Sequence, residues 1–151
     1  MVELISLSDG DNTFQVRVLG RRSPGLLHLH DQLDAEAVIT SSFVSGRLAM
    51  SVSPADLETW SRALDLLAAG QDICWRDEAH SPAIRIQPHN EEHETPAVHV
   101  EDPSSSCVSV FLPVNLEEGW IDEQRRLLGR VLKQWPSEVL ESSPGVYEWR
   151  R

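Results

Sequence analysis

The chain has 151 residues, a charged fraction of 25% and a formal charge of −11. That is the size of one ordinary domain, with enough apolar material for one core, and the acidic balance argues against gripping a phosphate backbone, which needs clustered Lys and Arg. No apolar run approaches the roughly 18 residues of a membrane span. The opening stretch MVELISLSDGDNTF carries an acid at position 3 and no basic region, so it does not read as a secretory leader and a cytoplasmic protein is expected.

VELISL (2–7) and TFQVRVL (13–19) alternate around SDGDN (8–12), which predicts a hairpin with Phe14, Val16 and Val18 on one face. Asp9, Asp11 and Asn12 lack the further oxygen ligands and the closing glutamate of a calcium loop. GRRSPG (20–25) is loop by its Gly and Pro content. LLHLHDQL (26–33) leads into AEAVITS (35–41) and FVSGRLAMSVS (43–53), the last two an antiparallel pair. In a strand, His28 and His30 would share a face; two rings without further converging ligands do not make a metal site.

The clearest helix is SPADLETWSRALDLLAAG (53–70). Ser53 suits the N-cap, Pro54 the first turn and Gly70 the stop. Leu57, Trp60, Leu64, Leu67 and Ala68 recur at helical spacing and form a core-facing stripe. The period then returns to two: DICW (72–75), AIRIQ (83–87), AVHVED (97–102) and CVSVFL (107–112) read as short strands. Their links are too short for crossovers, so they form an antiparallel meander. A second helix follows at 120–135, with Ile121, Leu128, Val131, Leu132 and Trp135 on one face and Pro136 as the stop. VYEW (146–149) adds a final short strand. The expected fold is a single α+β domain over 1–151, an antiparallel meander sheet bent into a sandwich or half-barrel and packed with these two helices.

Chemistry is sparse. Cys74 and Cys107 form no CxxC and read as small buried side chains. QPHNEEHETP (87–96) places His89 and His93 four apart, but Pro88 and Pro96 oppose a helix there, and the metalloprotease pattern wants Glu where Asn90 stands. It reads as an acidic loop. Ser104, Ser105, Ser106, Cys107 and His99 supply nucleophile and base types without a third orienting group. No dinucleotide fingerprint, P-loop or nucleophile elbow occurs, so no catalytic residue, metal or cofactor is assigned.

Charge is uneven: residues 72–102 hold eight acids against two bases. An acidic surface steers toward a basic protein. The expected partner surface is Glu91, Glu92, Glu94, Glu101 and Asp102, with Glu117 and Glu118 as a second patch. The reading is a small, non-enzymatic, protein-binding module with no nucleic-acid or membrane partner. The alternative is a small-molecule binder or small enzyme with a pocket lined by some of Trp60, Trp75, Trp120, Trp135 and Trp149.

Four blocks, ELISLSDGDNTFQVRVLGRRSPG, SFVSGRLAMSVSPADLETWSRALDLLAAGQDICW, VEDPSSSCVSVFLPVNLEEGWIDEQRRLL and SPGVYEWR, together resemble a small family of uncharacterised actinobacterial proteins, a domain of unknown function. That resemblance implies no activity. The order of strands and the pattern Asp56, Leu57, Trp60, Leu64, Leu67, Gly70 are also similar to immunity proteins of the WapI type, which implies a non-enzymatic antidote role; the helix at 120–135 is an addition to that plan.

Overall fold

The computed structural model describes residues 1–76, 82–89 and 94–151. The first half is a four-stranded antiparallel meander in sequential order: β1 (Val2–Ser8), β2 (Thr13–Arg21), β3 (Leu33–Thr40) and β4 (Ser45–Val52). Inward residues alternate along it as the sequence requires, with Phe14, Val16 and Val18 facing Ile39, Ala37 and Ala35 across the ladder. In β1 the alternation breaks, because the register slips between Glu3 and Ile5. The extra residue turns both Leu4 and Ile5 into the core.

α1 (Pro54–Ala68) follows directly. Ser53 closes a full capping box: its hydroxyl accepts from the Asp56 amide (3.1 Å), and the Asp56 carboxylate accepts from the Ser53 amide (2.9 Å). Leu57, Trp60, Ala63, Leu64 and Leu67 are buried, and Ala68 is not. A second four-stranded meander comes next: β5 (Ile73–Trp75), β6 (Ala83–Gln87), β7 (Ala97–Glu101) and β8 (Ser109–Pro113). The expected antiparallel strands thus form two four-stranded meanders, and neither closes into a barrel. α2 (Trp120–Gln134) packs on β1 and α1. The chain ends in a two-stranded hairpin, β9 (Val139–Ser143) and β10 (Val146–Trp149), of which only the second strand was expected.

One hydrophobic cluster runs through both sheets and both helices. Its largest fully buried side chains are Trp60 and Trp75, whose rings lie 5.3 Å apart. The face of α2 differs from expectation. Gln124, Leu127, Leu128 and Val131 are buried, Ile121 and Trp135 are partly buried, and Leu132 is exposed. Gln124 explains the rotation. Its Oε1 accepts from the Ser6 amide and its Nε2 donates to the Ser6 carbonyl, both at 2.9 Å. The side-chain amide thus supplies the ladder rung that β1 lacks on its outer side.

Candidate functional site

The expected acidic surface is divided by the topology. Within β7 and β8, Ala97 pairs with Pro113 and Glu101 with Ser109. Glu94 and the pair Glu117 and Glu118 therefore lie toward one end of the second sheet, where the Val114 amide donates to the Pro96 carbonyl (2.9 Å). Glu101 and Asp102 lie at the other end, about 13 Å away at the rise of an extended strand. Glu94, Glu117 and Glu118 are exposed; Glu101 and Asp102 are half-buried. Glu91, Glu92 and His93 lie outside the described residues, while His89 is exposed.

Asp102 has an architectural task as well. Its carboxylate accepts from the Ser106 amide (3.0 Å) and hydroxyl (2.8 Å). Those bonds hold the carboxyl below its ordinary value. They also close the 103–107 turn, which displaces the expected strand start from 107 to Ser109. Cys107 consequently sits in the turn at φ 59°, exposed rather than buried. Cys74 is exposed too, because β5 turns Ile73 and Trp75 inward and the residue between them outward.

His28 and His30 are not on a strand; residues 23–31 form turns. His30 accepts from the Gly25 amide at Nδ1 (2.8 Å) and packs edge-on against Trp149 (4.8 Å). Beside it, Asp31 anchors the C-terminal hairpin. Its carboxylate accepts from the Glu138 amide (3.1 Å), the Val139 amide (3.0 Å) and the Ser137 hydroxyl (3.1 Å), and pairs with Arg21 (2.9 Å). Burial pushes the Asp31 carboxyl up, but those donors outweigh it and the group lies below its ordinary value. Asp9, weighed above as a calcium-loop acid, likewise serves the fold. It accepts from the amides of Asn115, Asn12 and Asp11, which lower its pKa and tie the first hairpin turn to the segment after β8.

Among the described residues no group of three His, Cys, Asp or Glu side chains is placed to hold a metal ion, and no helix is long and apolar enough to cross a membrane. The tryptophans are dispersed: Trp60 and Trp75 fill the core, Trp120 and Trp135 edge it, and Trp149 stands on the hairpin.

The sequence reading missed an apolar cleft of about 280 Å³ between the two sheets. Residues 44–48 form one side, and Val100, Val108 and Val110 the other. Phe43 stands on the β3–β4 turn beside it at 95% exposure, and Val108 is 59% exposed. The turn is held by Ser41, whose hydroxyl accepts from the Phe43 and Val44 amides. The available signal was the Phe itself, a large apolar side chain at a turn flanked by Ser41 and Ser42.

The fold and this surface define a small α+β protein with a split acidic face and an apolar cleft between two open meanders. The chain belongs to the family of unknown function DUF5959, which matches residues 2–136. Neither the curated proteins nor the solved structures contain a match.

Proposed function

We propose that the chain is a non-enzymatic binding module for a protein with a basic surface. One observation carries this. The arginines are largely occupied internally: Arg17, Arg21, Arg22, Arg47, Arg76, Arg125 and Arg126 each lie within ion-pair distance of a carboxylate. Among the described residues, Glu94, Glu117 and Glu118 have no cation within that distance, and all three are exposed. The negative charge is thus displayed to solvent instead of being neutralised by the chain's own bases. Such a field accelerates encounter with a positive partner and repels an acidic one. An immunity-like role, in which the acidic face blocks the basic face of a toxin, is the specific form suggested by the pattern along α1.

The test is affinity capture at low and high salt with three proteins: the native chain, a variant with Glu94, Glu117 and Glu118 changed to Gln, and a variant with Glu101→Gln and Asp102→Asn. A stoichiometric basic partner should be captured at low salt and lost near 1 M salt, where the screening length falls to about 3 Å. At least one variant should also lose it, identifying the end of the sheet that binds. Capture unaffected by salt and by both variants would overturn the reading.

A further inference from the structure

We infer that the open edge of β4 is a docking strand. It takes an extended segment of the partner as a fifth strand of the first sheet, with a bulky apolar side chain of that segment in the adjoining cleft. This rests on the basic-partner reading and locates a site for it.

The lining pattern points to the edge. Successive strand residues face opposite sides of a sheet, so a cavity on a face touches every second residue. On β3 and on the β7–β8 side the lining does alternate, with Ala37 and Ile39, then Val108, just before β8, and Val110. On β4 it does not: Ser45, Gly46, Arg47 and Leu48 all contribute. A run of consecutive residues means that the cleft passes along the strand's backbone edge.

The edge is also available for hydrogen bonding. β4 pairs only with β3 among the described residues. The Ser41 amide donates to the Val44 carbonyl (2.8 Å). Counting from that rung, hydrogen-bonded and non-hydrogen-bonded pairs alternate. Gly46, Leu48 and Met50 then direct their backbone groups to β3, while Ser45, Arg47, Ala49 and Ser51 direct theirs outward. The count is consistent with the Ser51 carbonyl, which is reached from outside by the Arg76 guanidinium. Ser45, Arg47 and Ala49 are exposed and present outward amides and carbonyls, the template for strand addition. The opposite edge of the same sheet is different, because Gln124 already occupies β1 at Ser6.

Charge selects the occupant. Arg47 shares the Glu36 carboxylate with Arg17 (3.7 and 3.9 Å) and its exposed side chain can swing into solvent, whereas Asp102, which lines the cleft, has no cation within ion-pair distance among the described residues. With a net charge of −11, a second copy of the chain is disfavoured at this edge and a segment alternating apolar and basic residues fits it.

The probe is a labelled synthetic heptapeptide, Lys-Val-Lys-Leu-Lys-Val-Lys, titrated against the full chain by fluorescence anisotropy. Two variants separate edge from charge. Arg47→Pro removes an outward amide, a position where an edge strand accepts proline. Gly46→Val fills the cleft, since a Cβ at Gly46 meets nothing within 4 Å and its backbone lies outside the left-handed region. Thermal melts establish that both variants are folded. The native chain should bind, each variant should bind about tenfold or more weakly, about 1.4 kcal/mol or more, and a peptide N-methylated at alternate amides should not bind. Several results would overturn the docking strand: no binding by the native chain, equal binding by the variants, or a native mass that doubles and returns to monomer in Arg47→Pro. If the edge variants bind normally while neutralising Glu94, Glu117 and Glu118 abolishes binding, strand docking fails and the acidic-module reading survives. If the edge variants lose binding but a peptide with Glu for Lys binds equally well, the basic-partner reading fails and the edge remains a docking strand.

Discussion

Asp31 and Gln124 show what single side chains do here. Asp31 holds three donors from the segment 137–139 together with Arg21, whose side chain is almost as buried as its own. Asp31→Asn removes one of the two carboxylates on that guanidinium, leaving Glu138 at 2.9 Å, and should destabilise the fold by about 1–3 kcal/mol, measured by urea titration. The pH dependence has a definite sign. The Asp31 carboxyl is depressed on folding from an ordinary value of 3.8, so its stabilisation is complete above that value and is lost as pH falls through the lower folded value. Acid titration should release the hairpin in that window, followed by hydrogen exchange at Val139 and Arg150, and Asp31→Asn should remove this component of the acid transition. Neither role was legible in the sequence. A lone Asp in a turn-rich stretch and a Gln on a helix acquire their tasks from backbone more than 100 positions away. Cys74 was misread for a related reason: its burial depends on which way a three-residue strand faces, and so short a strand carries almost no period.

At the level of elements, local chemistry decided what could be read. α1 was legible because Ser53, Pro54 and Asp56 encode its start within four positions. Ser53→Ala removes the hydroxyl half of the capping box and should cost about 1 kcal/mol in chemical denaturation. The strands of both meanders were visible from their alternation. The stretch 26–31 also alternates in part, yet it folds as turns, because Gly25 and the His30 ring hold it by a local hydrogen bond that no hydrophobic pattern reports. The face of α2 was displaced by one rung of hydrogen bonding. Gln124→Leu preserves helix propensity and apolar volume but strands the Ser6 amide and carbonyl, and a loss of about 1–3 kcal/mol is expected by thermal or urea unfolding. Of the cleft only Phe43 left a sign in the sequence, since the cavity arises from the apposition of β4 with β7–β8, which lie far apart in sequence.

Across the whole molecule, the core and the C-terminal hairpin are distinguishable. The family match ends at 136, and the hairpin that follows is almost entirely exposed. Its attachment to Arg21, His30 and Asp31 is mainly polar. A chain ending at Pro136 should therefore retain the two meanders and both helices, unfolding in one cooperative transition by circular dichroism at a Tm lowered by a few degrees. A non-cooperative melt would show that the hairpin is needed to complete the fold.

The side-chain rung that Gln124 supplies to β1 also limits growth. A sheet with two bare margins can recruit strands from both and propagate into a fibre. In this molecule α2 packs on one margin of the first sheet and Gln124 occupies its backbone groups at Ser6, whereas the margin at β4 carries no such side-chain rung among the described residues. Once a single incoming strand occupies that side, recruitment through this sheet has no second bare margin on the same chain from which to continue. Termination is thus built into the protomer, at the point where Gln124 meets Ser6.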